Sequence, residues 1–433
     1  MSARIFSRAK WISDSNIYEV NMRQYTTEGT FNAFAKELPR LKDMGVEVLW
    51  IMPIHPIGKI NRKGGLGSYY SIADFKGVNP EFGTAADFSE LINKAHELNM
   101  KVIMDWVANH AAWDNVWTKD HPEYFVRAED GVFKPPYDWT DVIQIDHKNA
   151  AQQDAMIDAM KYWVINFDID GFRADLAHLT PLEFWIKART AIEPIKPDLF
   201  WLAESEEINY HEGFDATFTW EWMHSSESFY KGNINLSGLY DVLAKYETTF
   251  PATAYRMYFT SNHDENTWNG TALEKYGDML KALTVFNCTW NGIPMIYSGE
   301  EIPNLKRLRF FEKDEIDWTG EMTMHDFYKT LLSLRKRNLA LRAADDAVTT
   351  FHILIEGSKN VMAYLRKNDS NEVLVILNLG TDIAEFKIID RLVDNAYQNV
   401  FTNSEIYLGP ETGLVMQPWD YLVFEKMDKK KGN

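Results

Sequence analysis

Three carboxylate side chains lie at or near the ends of short apolar runs of the kind that is buried in a parallel sheet. Asp175 lies near the end of GFRADL, Glu204 ends LFWLAE and Asp264 ends FTSNHD. In α/β folds, the carboxyl ends of parallel strands meet at one edge, where ligands bind. One carboxylate at a strand end is usually only solvated, but three at one edge predict a site for acid–base or nucleophilic chemistry.

The residues around two of these carboxylates favour opposite protonation states. Arg173 and Asp175 are two positions apart, so both side chains point to the same face of a strand. A neighbouring cation lowers a carboxyl pKa and keeps the group anionic, as a nucleophile requires. Glu204 follows Trp-Leu-Ala, an apolar setting that raises a carboxyl pKa, as a general acid requires. Such a pair suits glycoside hydrolysis, with a plain Arg173–Asp175 ion pair as the structural alternative.

Two histidines accompany the carboxylates, and the motifs of several other enzyme classes are absent. His110 ends DWVANH and His263 precedes Asp264, where each either donates a hydrogen bond to a sugar hydroxyl or serves a structural role. The sequence has no HExxH, CxxC, GxGxxG, GxxxxGK[ST] or GxSxG motif. The sequence therefore gives no support for a zinc enzyme, a phosphate-binding or dinucleotide-binding loop, or a serine hydrolase.

The elements that must position these residues follow an alternating pattern. Short β-branched or aromatic runs alternate with amphipathic helical segments, as in repeated βα units. Eight such units predict a (β/α)₈ barrel, although an open doubly wound sheet has the same periodicity. The sixth run has the weakest pattern. The eight predicted strands are residues 16–25, 46–54, 101–108, 171–176, 199–204, 214–220, 256–264 and 294–300.

Two further regions depart from the βα pattern. Residues 111–147, after the third predicted strand, form a long insert rich in Trp, Asp and Pro, and loops of this length are usually functional or form a subdomain. Beyond residue 340, β-branched runs separated by turn residues predict an antiparallel β-domain.

Composition excludes several function classes. The 433 residues include 45 Lys and Arg against 63 Asp and Glu, a net charge of −18 that disfavours nucleic acid as a partner. Cys288 is the only cysteine, so no intramolecular disulfide forms. The chain lacks both a secretory-type apolar run at its start and any stretch of roughly 18 apolar residues. We therefore expect a soluble cytoplasmic protein with no membrane partner.

Several separated motifs, in this order, resemble those of the α-amylase family of retaining glycoside hydrolases. DWVANH, GFRADLAH, AES and SNHDEN are similar to the family's third-, fourth-, fifth- and seventh-strand motifs. GVEVLWIMPI and GIPMIYSGEE are similar to its second- and eighth-strand segments. The resemblance implies a (β/α)₈ TIM barrel, a short insert and a C-terminal antiparallel β-sandwich. The implied domains are residues 1–110 with 148–340, 111–147, and 341–433.

The resemblance also implies roles for individual residues. Asp175 is the expected nucleophile, Glu204 the general acid/base and Asp264 a third carboxylate that binds sugar hydroxyls. The expected substrate-binding residues are Tyr70, His110, Arg173, His178 and His263. Beside this resemblance, the apolar C–H face of a sugar stacks on aromatic rings, so Trp113, Trp117 and Trp139 of the insert are expected to extend a stacking platform.

Two positions depart from the family pattern. Asn109 matches a calcium ligand of the family, but the aspartate expected near the end of the insert is replaced by Gln144, with Asp146 nearby. Calcium prefers six to eight oxygen ligands, so the lost carboxylate weakens the implied Ca²⁺ site. His178 stands where many relatives carry a lysine, which leaves the preferred glycosidic bond open.

These observations together predict a retaining enzyme that hydrolyses α-1,4 bonds in starch, glycogen or maltooligosaccharides. The partner is then an α-glucan, and the oligomeric state stays open. Alternatives within the family are α-1,6 hydrolysis and glycosyl transfer, because a sugar hydroxyl can replace water in the second step. A non-enzymatic alternative is a family relative that binds glucan but has no catalytic activity.

Overall fold

The computed structural model describes residues 6–427 and contains a closed barrel of eight parallel strands. Each strand hydrogen-bonds to its sequence neighbours, and the last pairs with the first through Ile17 and Met295, which excludes an open sheet. All eight predicted strands are present, each shorter than its apolar run. They are β1 (Ile17–Val20), β2 (Val48–Ile51), β3 (Lys101–Val107), β4 (Gly171–Asp175), β5 (Phe200–Ala203), β6 (Ala216–Phe218), β7 (Tyr255–Tyr258) and β8 (Ile293–Tyr297).

Strand alternation divides the barrel residues between two apolar clusters. Alternate residues fill the barrel interior, among them Ile17, Trp50 and Ile103, and their neighbours pack outward against the helices. At the carboxyl ends of the strands, the inward-pointing side chains are charged instead of apolar. The inward series Ile17–Glu19 and Ile103–Asp105 therefore change from apolar to acidic within one strand.

Helices surround the barrel after seven of the eight strands. The segment from residue 204 to 215, described in full, contains only the short 3₁₀ helix Ile208–Glu212, so the repeat between β5 and β6 lacks its α-helix. Residues 31–45 form two helices rather than one, because Pro39 fits only the first turn of a new helix. The barrel helices are Met22–Tyr25, Phe31–Phe34, Leu38–Met44, Ala85–Glu97, Ala150–Phe167, Leu182–Ile192, Trp220–Tyr230, Leu236–Thr249, Ala272–Tyr276, Leu280–Thr289 and His325–Arg337.

The insert after β3 contains the antiparallel strands His110–Ala112 and Val142–Gln144 and the short helix Trp117–Asp120. Within it, Trp117 stacks on Phe75 with ring centroids 4.8 Å apart, and so packs towards the core.

Two antiparallel sheets form the C-terminal part of the described chain. Apolar side chains from both sheets, such as Leu374 and Phe386, pack together between them, which is the arrangement of a β-sandwich. The six-stranded sheet runs in the order Val348–His352, Val361–Asn368, Asn371–Asn378, Tyr421–Lys426, Asn395–Asn399, Glu405–Leu408, and the three-stranded sheet in the order Ile355–Glu356, Ala384–Ile388, Gly413–Met416. Residues 1–5 and 428–433 of the predicted domains lie outside the described residues.

Within residues 6–427, the longest helices are too short or too polar to cross a bilayer.

Candidate active site

One guanidinium group connects the carboxylates at the carboxyl end of the barrel. Nη1 of Arg173 donates to Oδ1 of Asp105 at 2.8 Å and to Oδ1 of Asp175 at 2.9 Å. Nη2 of Arg173 lies 2.9 Å from Oε2 of Glu204. All four side chains are buried. Arg173 and Asp175 share the inward face as the sequence predicts, but the arginine serves three carboxylates rather than one.

The main chain between β4 and β5 fixes the position of Glu204. Gly171 lets the two strands approach closely, since a Cβ there would lie 2.1 Å from the carbonyl oxygen of Phe200. After Asp175, Leu176 adopts a left-handed conformation with φ of 40°, which costs a residue with a Cβ about 1–3 kcal/mol. This conformation directs its N–H to Oε2 of Glu204 at 2.6 Å. Adjacent residues therefore provide the expected nucleophile and anchor the expected acid.

Burial determines the protonation of these carboxyl groups. It raises the pKa of Glu204, against the opposing effect of Arg173, as predicted for a general acid. It also raises the pKa of Asp175, where Arg173 lowers it and Glu204 raises it further. The expectation of a lowered pKa for Asp175 is therefore wrong in direction, because one cation is shared by three buried acids. Because all three carboxyl groups contact Arg173, the charge state of one affects the pKa of the others.

A second group of side chains surrounds His263. Its Nδ1 lies 2.5 Å from Oε1 of Glu19 on β1, and its Nε2 lies 2.8 Å from the Tyr70 hydroxyl and 3.4 Å from Oδ2 of Asp264. Burial alone would lower the pKa of His263, but Asp264 and Glu19 outweigh it and raise the pKa to about 9. His263 is therefore an imidazolium at neutral pH and places positive charge beside Asp264.

Asp264 lies at the rim but not at the end of a strand. The predicted strand 256–264 ends at Tyr258, because polar side chains then hold the chain in a loop. Thr260 donates to Glu300 at 2.5 Å, and Asn262 accepts from the main chain of Glu265 at 2.8 Å. The Asp264 side chain is 43% exposed and accessible to a ligand.

Tyr70 contributes both a hydroxyl and a ring to the site. Its hydroxyl donates to Oδ2 of Asp105 at 3.2 Å. Its ring stacks on His263 with centroids 5.4 Å apart and on Phe310 with centroids 6.3 Å apart. Phe310 in turn contacts Trp268, whose side chain is 55% exposed. These rings form an aromatic surface that runs outward from the carboxylates.

The insert contributes His110 and Trp139, whose ring centroids lie 5.7 Å apart. Burial lowers the pKa of His110 to about 4, so the imidazole is neutral at neutral pH. Trp113 donates to the carbonyl oxygen of Thr140 at 2.9 Å and is partly buried. Of the three insert tryptophans, Trp139 adjoins a predicted site residue, whereas Trp117 packs inward, so the predicted platform is wrong for Trp117.

His178 is exposed, and its Nδ1 lies 3.4 Å from the carbonyl oxygen of Glu204. It therefore lies beside the expected acid, and both residues line a cavity of about 1330 Å³. The structure thus brings the predicted residues into two linked groups, one around Arg173 and one around His263.

The residues near Asn109 do not fit a calcium site. The Asn109 amide nitrogen lies 3.3 Å from Nδ1 of its neighbour His110. Oδ1 of Asp146 accepts from the main chain of Lys148 at 3.0 Å and closes a local turn. Within residues 6–427, His, Cys, Asp and Glu side chains form no cluster of three or more that would hold a metal ion. The donor set near Asn109 thus lacks the carboxylates that calcium prefers.

Four residues at the site went unpredicted by sequence reasoning: Glu19, Asp105, Phe310 and Trp268. A signal existed for the two acids, because each interrupts an apolar strand at an inward position. No comparable signal marks the two aromatic residues, which come from loops without periodic pattern.

Comparison with known proteins places this arrangement in a family. The family description "Alpha amylase, catalytic domain" matches residues 9–142 and 136–322. The chain is 27% identical over 400 residues to α-amylase MalA of Haloarcula japonica, covering 88% of this chain and 57% of that protein. It is 28% identical over 387 residues to an α-1,4-glucan:maltose-1-phosphate maltosyltransferase of Picrophilus torridus, covering 82% of this chain and 59% of that enzyme.

A solved structure of a maltogenic α-amylase from Thermotoga neapolitana superposes with a TM-score of 0.89 at 30% identity, covering 96% of this chain and all of that one. An α-amylase structure from Lactobacillus plantarum gives a TM-score of 0.87 at 28% identity, with the same coverage. The family match spans the barrel and its rim, where the carboxylates lie. The chain therefore belongs to the α-amylase family, glycoside hydrolase family 13.

Proposed function

We propose that this chain hydrolyses α-1,4-glucosidic bonds in starch, glycogen or maltooligosaccharides with retention of anomeric configuration. One observation carries the proposal: a single guanidinium, that of Arg173, contacts both Asp175 and Glu204. Bridging by one side chain favours the short carboxyl separation of retaining enzymes, about 5–5.5 Å, over the 6.5–9.5 Å or so of inverting ones.

In the first step, a carboxylate oxygen of Asp175 attacks the anomeric carbon. The bond from that carbon to the glycosidic oxygen breaks, and the oxygen takes the proton of Glu204. The products are a β-glucosyl ester on Asp175, a departing sugar with a free hydroxyl, and ionised Glu204. Burial, which raises the pKa of Glu204, favours the protonated form that a proton donor requires.

In the second step, Glu204 accepts a proton from water as the water oxygen attacks the anomeric carbon. The ester bond breaks, Asp175 leaves as a carboxylate, and the released sugar regains its α-configuration. Arg173 stabilises the negative charge on both carboxylates, and protonated His263, whose two N–H groups face Glu19 and the Tyr70 hydroxyl, places positive charge beside Asp264.

Reducing-sugar release from soluble starch tests these roles. We expect Glu204→Gln and Asp175→Asn to lower kcat about 10³-fold or more, because each removes a group that acts in both steps. Glu183→Gln, at an exposed helical position, is the matched control and should keep wild-type activity. NMR of the first-formed anomer reports retention. Wild-type activity in Glu204→Gln, or a β-anomeric first product, would contradict the proposal.

A second candidate is glycosyl transfer, in which a sugar hydroxyl replaces water in the second step. The large cavity beside Glu204 favours this candidate, because it offers space for an acceptor next to the group that would deprotonate it. Product analysis on maltoheptaose, panose and pullulan distinguishes the activities. Products longer than the substrate indicate transfer, and cleavage of pullulan to maltotriose indicates α-1,6 hydrolysis.

A further inference from the structure

The loop after β7 contains two consecutive acids in opposite environments. Residues Glu265–Asn269 form one turn of π-helix, a rare element that often occurs at functional sites. Asp264 directly precedes this turn, and its side chain is 43% exposed at the barrel rim. Glu265 follows it, and its side chain is only 5% exposed. The two acids are therefore neighbours in the chain, but one is accessible to a ligand and the other is buried.

The buried acid contacts an equally buried lysine. Nζ of Lys275, on the helix Ala272–Tyr276, forms an ion pair with Oε2 of Glu265. The lysine side chain is 1% exposed, and its Nζ also lies 3.6 Å from Oε2 of Glu227 on the helix Trp220–Tyr230. A buried ammonium requires charged or polar partners to offset its lost hydration. This lysine therefore connects the loop to two helices of the barrel.

Neutral hydrogen bonds hold the far side of the same turn. Oδ1 of Asn266 accepts from the main-chain N–H of Leu308 at 2.9 Å. The Thr267 hydroxyl donates to the carbonyl oxygen of Leu308 at 2.7 Å. Of these contacts, only the ion pair with the lysine joins opposite charges, and it involves the residue next to Asp264. A change in that ion pair is therefore transmitted to Asp264 through a single peptide bond.

The pKa of His263 reports where Asp264 lies. Burial alone would lower this pKa, but Asp264, with Oδ2 3.4 Å from Nε2 of the histidine, and then Glu19 raise it to about 9. Movement of Asp264 away from the histidine would therefore lower the pKa. Removal of a nearby cation has the opposite effect, because it favours the imidazolium. A fall in the pKa thus distinguishes a displaced Asp264 from the mere loss of a positive charge.

We propose that Lys275 is a positioning residue that, through its ion pair with Glu265, holds Asp264 in the orientation that the reaction requires. The inference rests on the proposed function, because it takes Asp264 to bind the reacting sugar. Lys275 is too deeply buried to contact a substrate, so its effect on the reaction passes through the loop. Misplacement of a binding group by about 1 Å can lower a rate about 10²-fold.

A double-mutant cycle tests whether Lys275 acts through Asp264. We expect Lys275→Met to lower kcat on maltoheptaose by about tenfold to 10²-fold. In an Asp264→Asn background the same change should alter kcat by less than about twofold, because the side chain that Lys275 positions is already impaired. Fully additive losses in the double variant would overturn the proposal, since they would mean that Lys275 acts independently of Asp264.

NMR titration of labelled histidine provides a readout that requires no activity. In Lys275→Met we expect the pKa of His263 to fall by about one unit. The matched control is Arg189→Met, which removes a buried cation whose partner, Asp215, precedes β6 at the amino end of the barrel. It should leave the titration and kcat per folded molecule unchanged. An unchanged or raised pKa in folded Lys275→Met, or equal effects in both variants, would overturn the proposal.

Glu265→Gln is the second variant, in case Lys275→Met does not fold. It keeps the shape of the side chain and an acceptor for Lys275 but removes the opposite charge. We expect kcat to fall severalfold, with little further effect in the Asp264→Asn background, and wild-type kcat would contradict the proposal. A wild type inactive on every α-glucan would refute the hydrolase, whereas the histidine titration would still test Lys275. The two proposals therefore fail separately.

Discussion

Buried carboxylates at the barrel rim and in the C-terminal sandwich differ in the number of cations that contact them. In the sandwich, buried Glu372 has two cations of its own, Lys367 at 2.8 Å and Lys426 at 3.0 Å. At the rim, one guanidinium, that of Arg173, serves three buried carboxylates. Glu372 is thus compensated by two cations, whereas the three rim carboxylates share one. Incomplete compensation raises carboxyl pKa values and leaves acids able to exchange protons, which is what catalysis requires.

The largest expected effect comes from removing the shared cation. Arg173→Met leaves three buried carboxylates without a cation, so we expect kcat to fall about 10³-fold or more and the free energy of unfolding to fall by about 3–5 kcal/mol. Carboxyl pKa values raised further in the folded state make the stability loss grow as pH rises above their ordinary range. Urea unfolding at several pH values and starch assays measure both quantities.

The matched control for that change is Arg189→Met, which removes another buried guanidinium, 3.2 Å from Asp215 rather than in contact with Asp175 and Glu204. We expect a comparable loss of stability but wild-type activity per folded molecule. Equal loss of activity in both variants would mean that Arg173 acts only through folding.

A cavity introduced into the core of the sandwich should lower stability and leave activity unchanged. Leu374 is fully buried between the two sheets, so Leu374→Ala should lower the free energy of unfolding by about 2–5 kcal/mol. Activity per folded molecule should not change. Ile383→Ala, at a position 56% exposed, is the control and should change stability by less than about 0.5 kcal/mol. A changed pH–activity profile in Leu374→Ala would contradict the separation of the two regions.

A smaller effect is expected for Glu19, the partner of His263. The pKa of His263, raised to about 9, means that its contribution to stability is complete below its ordinary value and is lost as pH rises through 9. Glu19→Gln removes one of the two nearby carboxylates, so we expect this pKa to fall by about one unit. NMR titration of labelled histidine, assigned with His263→Asn, measures it. An unchanged titration would show that Asp264 alone keeps His263 charged.

The smallest effect is expected from metal removal. The donor set near Asn109 lacks carboxylates suited to calcium, so we propose that treatment with EDTA leaves kcat and the melting temperature unchanged. Added calcium should not restore or raise either quantity. A fall in melting temperature on chelation, reversed by calcium but not by magnesium, would refute this expectation.

The fold could be predicted because buried parallel strands appear as apolar runs, and all eight predicted runs contain a strand. Asp175 and Glu204 could be predicted because each follows such a run. The absence of an α-helix after β5 could not be predicted, because the segment 204–215 combines acidic and apolar residues without a clear periodicity. The pKa direction of Asp175 could not be predicted either, because it depends first on how deeply the group is buried and then on the acids that share Arg173, which only the folded barrel reveals.

Leu176 contributes to the site in two ways. Its amide anchors the Glu204 side chain, and the residue also lines the cavity beside Glu204. A substitution at position 176 can therefore change the lining of the cavity while the main-chain hydrogen bond to Glu204 is kept. Glycine or asparagine, which tolerate positive φ, would also relieve the backbone strain there.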